Sequence, residues 1–224
     1  MLVSHRHRFI YTKTRKTAGT SVESYFEPYC MAPGEWSLSH ERSLYETAHG
    51  IVGQRGGGNA CEQRWWNHMP AATIREQLGR QRWESYFKFC VVRNPFDMVI
   101  SLFYFRRQSG LLSTSESDDA EQFRAWLLSA PLTSDRPIYC LDGVPCMDYF
   151  VRYERLPEDL SAVCSQLGLP WQPERLPTFK KGLRPEAARP ERLHNAATRA
   201  RVKQAFAAEL EQFGYCFEQT LETR

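Results

Sequence analysis

The sequence has few of the features that mark membrane-spanning, secreted or nucleic-acid-binding proteins. No stretch approaches the roughly 18 consecutive apolar residues that a membrane-spanning helix needs. Residues 1–8 lack the apolar segment of a signal peptide, and the first strand pattern follows almost at once. The formal net charge of +3 is too small for general nucleic-acid binding. We therefore expect no membrane span, no leader peptide and no nucleic-acid partner.

Cysteine-pairing and metal-binding motifs are also missing. The seven cysteines are an odd number, and none belongs to a Cys-x-x-Cys pair. Several lie in apolar strand or helix patterns, so we expect reduced, mostly buried thiols in a cytoplasmic protein. A disulfide between Cys140 and Cys146 is the alternative. No His/Cys/Asp cluster has the spacing of metal ligands, and we expect no metal requirement.

What is present fits one α/β domain over residues 1–224. Hydrophobic residues make up 42% of the chain and aromatic residues 13%, which is enough for a sizeable core. Apolar β-rich runs alternate with helical patterns, which indicates a parallel sheet flanked by helices. Strands are predicted at residues 9–11, 87–92 and 149–153, a helix flanked by Pro70 and Gly79, a last helix over residues 196–213, and an irregular segment over residues 31–67.

Residues 13–21, Lys-Thr-Arg-Lys-Thr-Ala-Gly-Thr-Ser, are the most informative segment. They connect the first strand to an amphipathic helix whose apolar stripe includes Val22, Tyr25 and Phe26. A turn of small residues before a helix exposes backbone N–H groups and the positive end of the helix dipole, and both attract anions. The segment therefore predicts a phosphate site.

This loop differs from the P-loop of kinases and ATPases, Gly-x-x-x-x-Gly-Lys-(Ser/Thr). Gly19 is the only glycine of the loop, and Lys16 precedes that glycine instead of following it. A kinase or an ATPase stays open as an alternative function, but it requires a departure from the motif at its most important position.

A second strand–turn–helix pattern begins at residue 87. Asn94 is a good N-cap and Pro95 suits the first helical position, so Arg93 leaves the strand just before a helix. Ser101 lies about two turns into that helix. The guanidinium of an arginine donates two parallel hydrogen bonds to a phosphate, so this turn also predicts a phosphate contact.

The two segments together resemble the sulfotransferases that use 3′-phosphoadenosine-5′-phosphosulfate (PAPS). Residues 16–21 resemble the 5′-phosphosulfate loop of the carbohydrate branch, Lys-Thr-(Ala/Gly)-Gly-Thr-Ser, and residues 93–101 resemble the 3′-phosphate motif, Arg-Asn-Pro-(Phe/Tyr)-Asp-x-x-x-Ser. The resemblance implies a P-loop-like three-layer fold with a central parallel β-sheet flanked by helices. It also implies PAPS as sulfuryl donor, adenosine 3′,5′-bisphosphate as product and a hydroxyl group as acceptor.

The resemblance also implies roles for particular residues. Lys16 takes the place of the lysine that balances charge on the leaving phosphate, although a plain phosphate anchor is the alternative. Arg93 and Ser101 take the places that hold the 3′-phosphate. Lys181 and Arg184 belong to a basic loop expected to cover the 3′-phosphate and the adenine. The remaining candidates around the 5′ end of the donor are Lys13, Arg15, Thr17, Ala18, Gly19, Thr20 and Ser21.

The general base is less clearly marked. Histidine suits the task because its unperturbed pKa lies near working pH. His68 is the first choice, since its surroundings partly match a family segment that lies between the two motifs and ahead of a helix. His49 is the second choice and Glu46 the third. A non-catalytic PAPS-binding module, which keeps the nucleotide but lacks a base, stays open as a further alternative.

The acceptor is the least specified part of the prediction. Trp36, Trp65 and Trp66 favour a carbohydrate, because flat aromatic rings suit the C–H faces of sugars, while a small metabolite, a lipid headgroup or a tyrosine peptide stays open. Family members of the eukaryotic Golgi carry a membrane anchor that this sequence lacks. We therefore expect a soluble bacterial member, with a chain trimmed of its anchor as the alternative, and the oligomeric state is left open.

Overall fold

The computed structural model describes residues 1–57, 62–112, 118–179, 182 and 184–222. The chain divides into two compact units. The first comprises Met1–Val92 and Asp135–Phe179, and the second comprises Arg93–Ser134 and Lys180–Arg224. Within the described residues, all β-strands belong to the first unit.

The first unit is built on a six-stranded mixed sheet with the order β3-β4-β1-β2-β5-β8. Strands β2, β5 and β8 are parallel to one another, and β1, β3 and β4 pair antiparallel. A separate two-stranded ribbon is formed by β6 and β7. The strands are β1 Leu2–Ser4, β2 Phe9–Thr12, β3 Tyr45–Thr47, β4 Gly50–Val52, β5 Phe87–Val92, β6 Cys140–Leu141, β7 Val144–Pro145 and β8 Tyr149–Arg152.

Helices cover both faces of this sheet, so the predicted three-layer α/β fold is confirmed. Strand residues alternate between the faces: Phe9 and Tyr11 pack with α1 and α7, whereas Ile10 packs with α2 and α3. None of the helices in the described part of the chain is long and apolar enough to cross a membrane. The helices of this unit are α1 Gly19–Phe26, α2 Ala71–Leu78, α3 Arg80–Ser85, α6 Arg136–Tyr139 and α7 Leu156–Gln166.

The sheet differs from the prediction in its antiparallel half. The strands predicted from apolar runs are present as β2, β5 and β8, but β1, β3 and β4 were not predicted. Strands β3 and β4 lie inside residues 31–67, which we predicted to be irregular. Each has only three residues, too few for a periodic pattern, and β4 depends on pairing with the distant β1.

The second unit is helical in its described residues. Its core is formed by apolar side chains of α4 and α5 together with those of the C-terminal helices. The predicted helix over residues 196–213 is divided at Phe206, whose backbone leaves the helical region at φ −123° and ψ 29°. No glycine or proline marks the break in the sequence. The helices are α4 Pro95–Gln108, α5 Asp119–Ser129, α8 Pro190–Leu193, α9 Ala196–Ala205, α10 Ala207–Phe213 and α11 Gln219–Glu222.

A buried histidine makes the stability of the second unit sensitive to pH. His194 is 3% exposed, and its ring packs edge-on against Phe96, Phe123 and Phe217. Its Nε2–H donates to the carbonyl oxygen of Phe96 at 3.0 Å, while the buried Nδ1 has no partner among the described residues. Burial lowers the pKa of His194 to about 4. The folded unit therefore holds this ring neutral at a pH where the unfolded chain would protonate it.

The stability should fall as the pH drops from about 6.5 toward 4. The unfolded chain binds the proton first, because its histidine keeps the higher pKa, and each unit of difference corresponds to about 1.4 kcal/mol. We expect His194 alone to cost about 3 kcal/mol of unfolding free energy at pH 4 relative to pH 7. Urea unfolding at several pH values measures this loss. The variant His194→Phe should show a shallower dependence, and an unchanged slope would contradict the assignment.

Candidate functional site

The loop between β2 and α1 has the backbone of an anion site. Lys16 and Ala18 both adopt left-handed conformations, with φ of 59° and 57°, which is uncommon for residues other than glycine. Ala18 precedes the right-handed helical Gly19, and such alternation turns successive N–H groups toward one point. The first helical bond of the turn joins the N–H of Ser21 to the carbonyl of Ala18 at 2.9 Å. The N–H groups of Gly19 and Thr20 therefore lie ahead of the helical ladder, as an anion site requires.

Two threonines fix this loop to the sheet. The Thr14 hydroxyl donates to the carbonyl oxygen of Val91 in β5 and lies 2.9 Å from the hydroxyl of Thr17. Both threonines are buried, at 2% and 3% exposure. The Thr17 hydroxyl, a predicted phosphate ligand, is thus used inside the loop, and its backbone N–H is the group left for an anion.

Lys13 lies beneath the loop. A Cβ added at Gly19 would approach the Cγ and Cε of Lys13 to 2.8 Å, so a glycine is needed where this side chain passes. The Lys13 ammonium ends 2.6 Å from Glu23 and 3.2 Å from the hydroxyl of Thr20. Burial would raise the pKa of Glu23, but Lys13 and the other cations around it, including Arg55, hold that pKa well below its usual range. The structure therefore places Lys13 as an internal counterion of α1.

Arg15 lies on the outer side of the loop. Its guanidinium Nη1 and its backbone N–H donate to the two carboxylate oxygens of Asp135, each at 2.6 Å. The side chain is 45% exposed, so this pair is worth little and can exchange for another anion.

His68 contacts the loop from the segment before α2. Its Nδ1 lies 2.9 Å from the carbonyl oxygen of Lys13. A carbonyl only accepts, so Nδ1 carries the hydrogen and the neutral ring keeps a lone pair on Nε2. Burial lowers the pKa of His68, and the Lys13 ammonium contributes further, to a value of about 4. His68 also has a left-handed φ of 60°. The ring is thus held against the loop between β2 and α1 in its neutral form.

The other two candidate bases lie elsewhere in the first unit. His49 belongs to the turn between β3 and β4 and directly precedes Gly50. Gly50 pairs with Ser4 of β1, and Ser4 pairs with Phe9 at the start of β2. The phosphate loop follows the opposite end of β2, about 10 Å away along the strand. Glu46 in β3 accepts hydrogen bonds from the indole of Trp65 and from an arginine. The structure brings His68 to the loop and does not bring His49 there.

In the second unit, the arginine motif is organised by Asp97. Arg93 donates from Nε and Nη2 to Asp97 Oδ2 at 2.9 and 2.5 Å, and Arg184 donates to Asp97 Oδ1 at 2.5 Å. Burial would raise the pKa of Asp97, but the two guanidinium groups lower it to about 2. Ser101 lies four residues after Asp97 in α4, hence on the same helix face. The Asn94 side chain caps the helix by accepting from the N–H of Phe96, as predicted.

Comparison with known proteins identifies the family. The profile that describes the Sulfotransferase family matches residues 1–216 of the chain. The chain belongs to the sulfotransferase family. An uncharacterized protein of Archaeoglobus fulgidus is 30% identical over 106 residues, which cover 46% of this chain and 84% of that protein. No solved structure gives a significant match.

The sulfotransferase match covers both motifs, and the structure adds residues to the candidate site that the motifs did not predict. Asp97 lies inside the second motif. Its position four residues after Arg93 was the sequence feature that could have predicted their ion pair. Glu23 follows the first motif, but its partners Lys13 and Arg55 could be found only in the folded chain. Lys181 lies outside the described residues. Among the described residues, no group of three or more His, Cys, Asp or Glu side chains could hold a metal ion.

Proposed function

We propose that this sulfotransferase moves the sulfuryl group of PAPS to an acceptor hydroxyl, with residues 1–224 acting as a single domain. The observation that carries the proposal is the hydrogen bond between His68 and the backbone of the phosphate loop. This contact supports the proposal because the loop that His68 touches at Lys13 also carries Lys16 and leads into the N-terminus of α1. A carbohydrate is the favoured acceptor; Trp66 is only partly buried and can offer a ring, whereas Trp65 is a core residue.

The reaction needs one proton acceptor and one cation. The acceptor oxygen forms a bond to sulfur while the bond between sulfur and the 5′-phosphate oxygen breaks, so the electron pair of that bond stays on the phosphate. The proton of the acceptor hydroxyl passes to Nε2 of His68. The ammonium of Lys16 and the N–H groups of Gly19 and Thr20 balance the charge that builds on the phosphate oxygen.

The donor itself would adjust the basicity of His68. A pKa of about 4 makes a weak base in the free protein. An anion within a few ångströms favours the protonated form of a histidine, so bound phosphosulfate raises this pKa toward working pH. The histidine thus becomes a better base when the donor is in place.

A transfer assay tests the proposal directly. The protein is incubated with [35S]PAPS and a panel of glycans, small hydroxylated metabolites and tyrosine peptides, and labelled product is measured together with adenosine 3′,5′-bisphosphate. Calorimetry with adenosine 3′,5′-bisphosphate and with Mg²⁺-ATP runs beside it. Tight binding of Mg²⁺-ATP alone would favour a kinase or ATPase, and nucleotide binding without labelling of any acceptor would favour a non-catalytic module.

Replacing His68 with glutamine should lower kcat by about 10²–10⁴-fold, the usual contribution of a general base. The affinity for adenosine 3′,5′-bisphosphate should change little, because the ring acts on the acceptor.

In the wild type, kcat/KM should fall with decreasing pH only near pH 4, since the free protein keeps His68 neutral above its pKa of about 4. The fall of kcat with decreasing pH should begin at a higher pH, because bound donor raises the pKa of His68. Equal loss of kcat in His49→Gln, or no loss in His68→Gln, would contradict this role.

A further inference from the structure

The segment of residues 36–42 is held in place by a buried arginine, Arg55. Its Nε donates to the carbonyl oxygen of His40 at 2.7 Å, and its Nη2 donates to that of Ser39 at 2.9 Å. The backbones of Arg55 and Arg42 exchange two hydrogen bonds of 2.7 and 2.8 Å. One residue thus fixes the path of a segment that has almost no regular structure.

Arg55 is itself anchored on α1, the helix that follows the phosphate loop. Its side chain is 3% exposed, and Nη1 lies 2.9 Å from Glu23 and 2.6 Å from Glu27, both fully buried. Buried ion pairs of this kind are rigid, because breaking one leaves a charge buried without a partner. Glu23 also accepts from Lys13, the first residue of the loop. Residues 36–42 and the phosphate loop are therefore fastened to neighbouring turns of one helix.

The exposed ring of His40 contacts Phe179, a residue whose backbone N–H reaches the first turn of α1. Its centroid is 5.5 Å from that of Phe179, and the two rings meet edge-on at 75°. The N–H of Phe179 donates to Ser21 Oγ at 3.5 Å, and Ser21 lies in the first turn of α1, at the N-terminus that forms the candidate anion site. Phe179 thus connects the imidazole to the anion-binding end of the helix.

We propose that His40 donates a hydrogen bond to the phosphosulfate end of the donor, and that Arg55 is the positioning residue that holds His40 there. This role rests on the proposed function, since it adds a residue to the same nucleotide site. Imidazole always carries at least one N–H and so can donate to a phosphate oxygen. The two histidines of the site then have different tasks: His68 accepts the proton of the acceptor, and His40 binds the donor.

Calorimetry with adenosine 3′,5′-bisphosphate tests the role of His40. The variant His40→Ala should raise Kd about tenfold, the usual effect of losing one hydrogen bond to a charged group, and should leave the unfolding temperature unchanged. His7→Ala is the matched control: its ring makes the same kind of edge contact with Tyr29, at 5.4 Å, but lies at the opposite end of β2. An unchanged Kd in His40→Ala, or an equal rise in His7→Ala, would overturn the proposal. Failure of the wild type to bind would overturn the proposed function as well.

Arg55→Lys tests the positioning role. Lysine keeps the charge next to Glu23 and Glu27, but it lacks the fork that reaches the carbonyls of Ser39 and His40. We expect a similar rise in Kd, and no further rise when His40→Ala is added, because both changes remove the same contact. Additive losses would refute the positioning role. If Arg55→Lys does not fold, His40→Ala alone still decides whether His40 contacts the donor.

Discussion

Replacing Lys16 with alanine should lower kcat about a thousandfold while the protein stays folded. Removing one preorganised contact to a developing charge costs on the order of 10²–10³ in rate, and Lys16 is proposed to supply full positive charge at the breaking bond. The fold should survive because alanine carries the same Cβ as lysine, so the strain of the left-handed backbone at φ 59° does not change. The measurements are kcat at saturating PAPS and thermal unfolding.

The same experiment separates catalysis by Lys16 from simple anchoring of the phosphate. An anchor binds donor and transition state equally, so its loss raises KM and leaves kcat intact at saturation. Recovery of full kcat at high PAPS would therefore contradict the proposed role. Arg8→Ala is the matched control, since Arg8 is also a basic residue with a left-handed φ, of 52°, and it stands at the other end of β2. This variant should keep wild-type kcat.

Local sequence patterns were sufficient to predict the helices and strands that have capping residues or a long apolar run of their own. Helix α2 lies between Pro70 and Gly79, as predicted, and α4 begins at Pro95 after an Asn94 cap. Strand β5 has six residues, of which all but Lys88 are apolar. The three-residue strands β1, β3 and β4 carry no such pattern, because their stability comes from antiparallel pairing between distant segments.

The candidate site residues divide in the same way. The motifs marked the loop between β2 and α1 as a candidate phosphate loop, and they placed Arg93 just before the helix that carries Ser101, because these features depend on residues that are close in sequence. They could not show that Lys13 is buried or that Arg184 reaches Asp97, 87 residues away. A charged side chain that is buried away from water needs an oppositely charged partner. Which partner lies next to it is decided by the fold and not by the neighbouring sequence. Sequence patterns therefore predict the positions of such residues better than their pairing.

Replacing Arg93 with alanine should raise Kd for adenosine 3′,5′-bisphosphate by about 10–100-fold. Hydrogen bonds to charged groups contribute about 1.5–3 kcal/mol each, and the guanidinium is proposed to hold the 3′-phosphate. Asp97 already fixes the arginine in place through two hydrogen bonds, so little side-chain entropy is lost when the nucleotide binds. Arg107→Ala is the matched control, because Arg107 pairs with Asp119 from the last turn of α4, the helix that follows Arg93. It should leave Kd unchanged.

The assignment of Arg93 to the 3′-phosphate can be separated from a general electrostatic effect by changing the ligand. Adenosine 5′-monophosphate keeps the adenine and the 5′-phosphate but lacks the 3′-phosphate. If Arg93 contacts the 3′-phosphate, Arg93→Ala should weaken binding of the bisphosphate and leave binding of the monophosphate nearly unchanged. An equal loss for both nucleotides would mean that the arginine acts through long-range charge or through the stability of α4. Asp97, which is also paired with Arg184, stays ionised down to a pH of about 2 and so keeps Arg93 in place across the neutral range. The difference between the two nucleotides in their loss of affinity should therefore not depend on pH in that range.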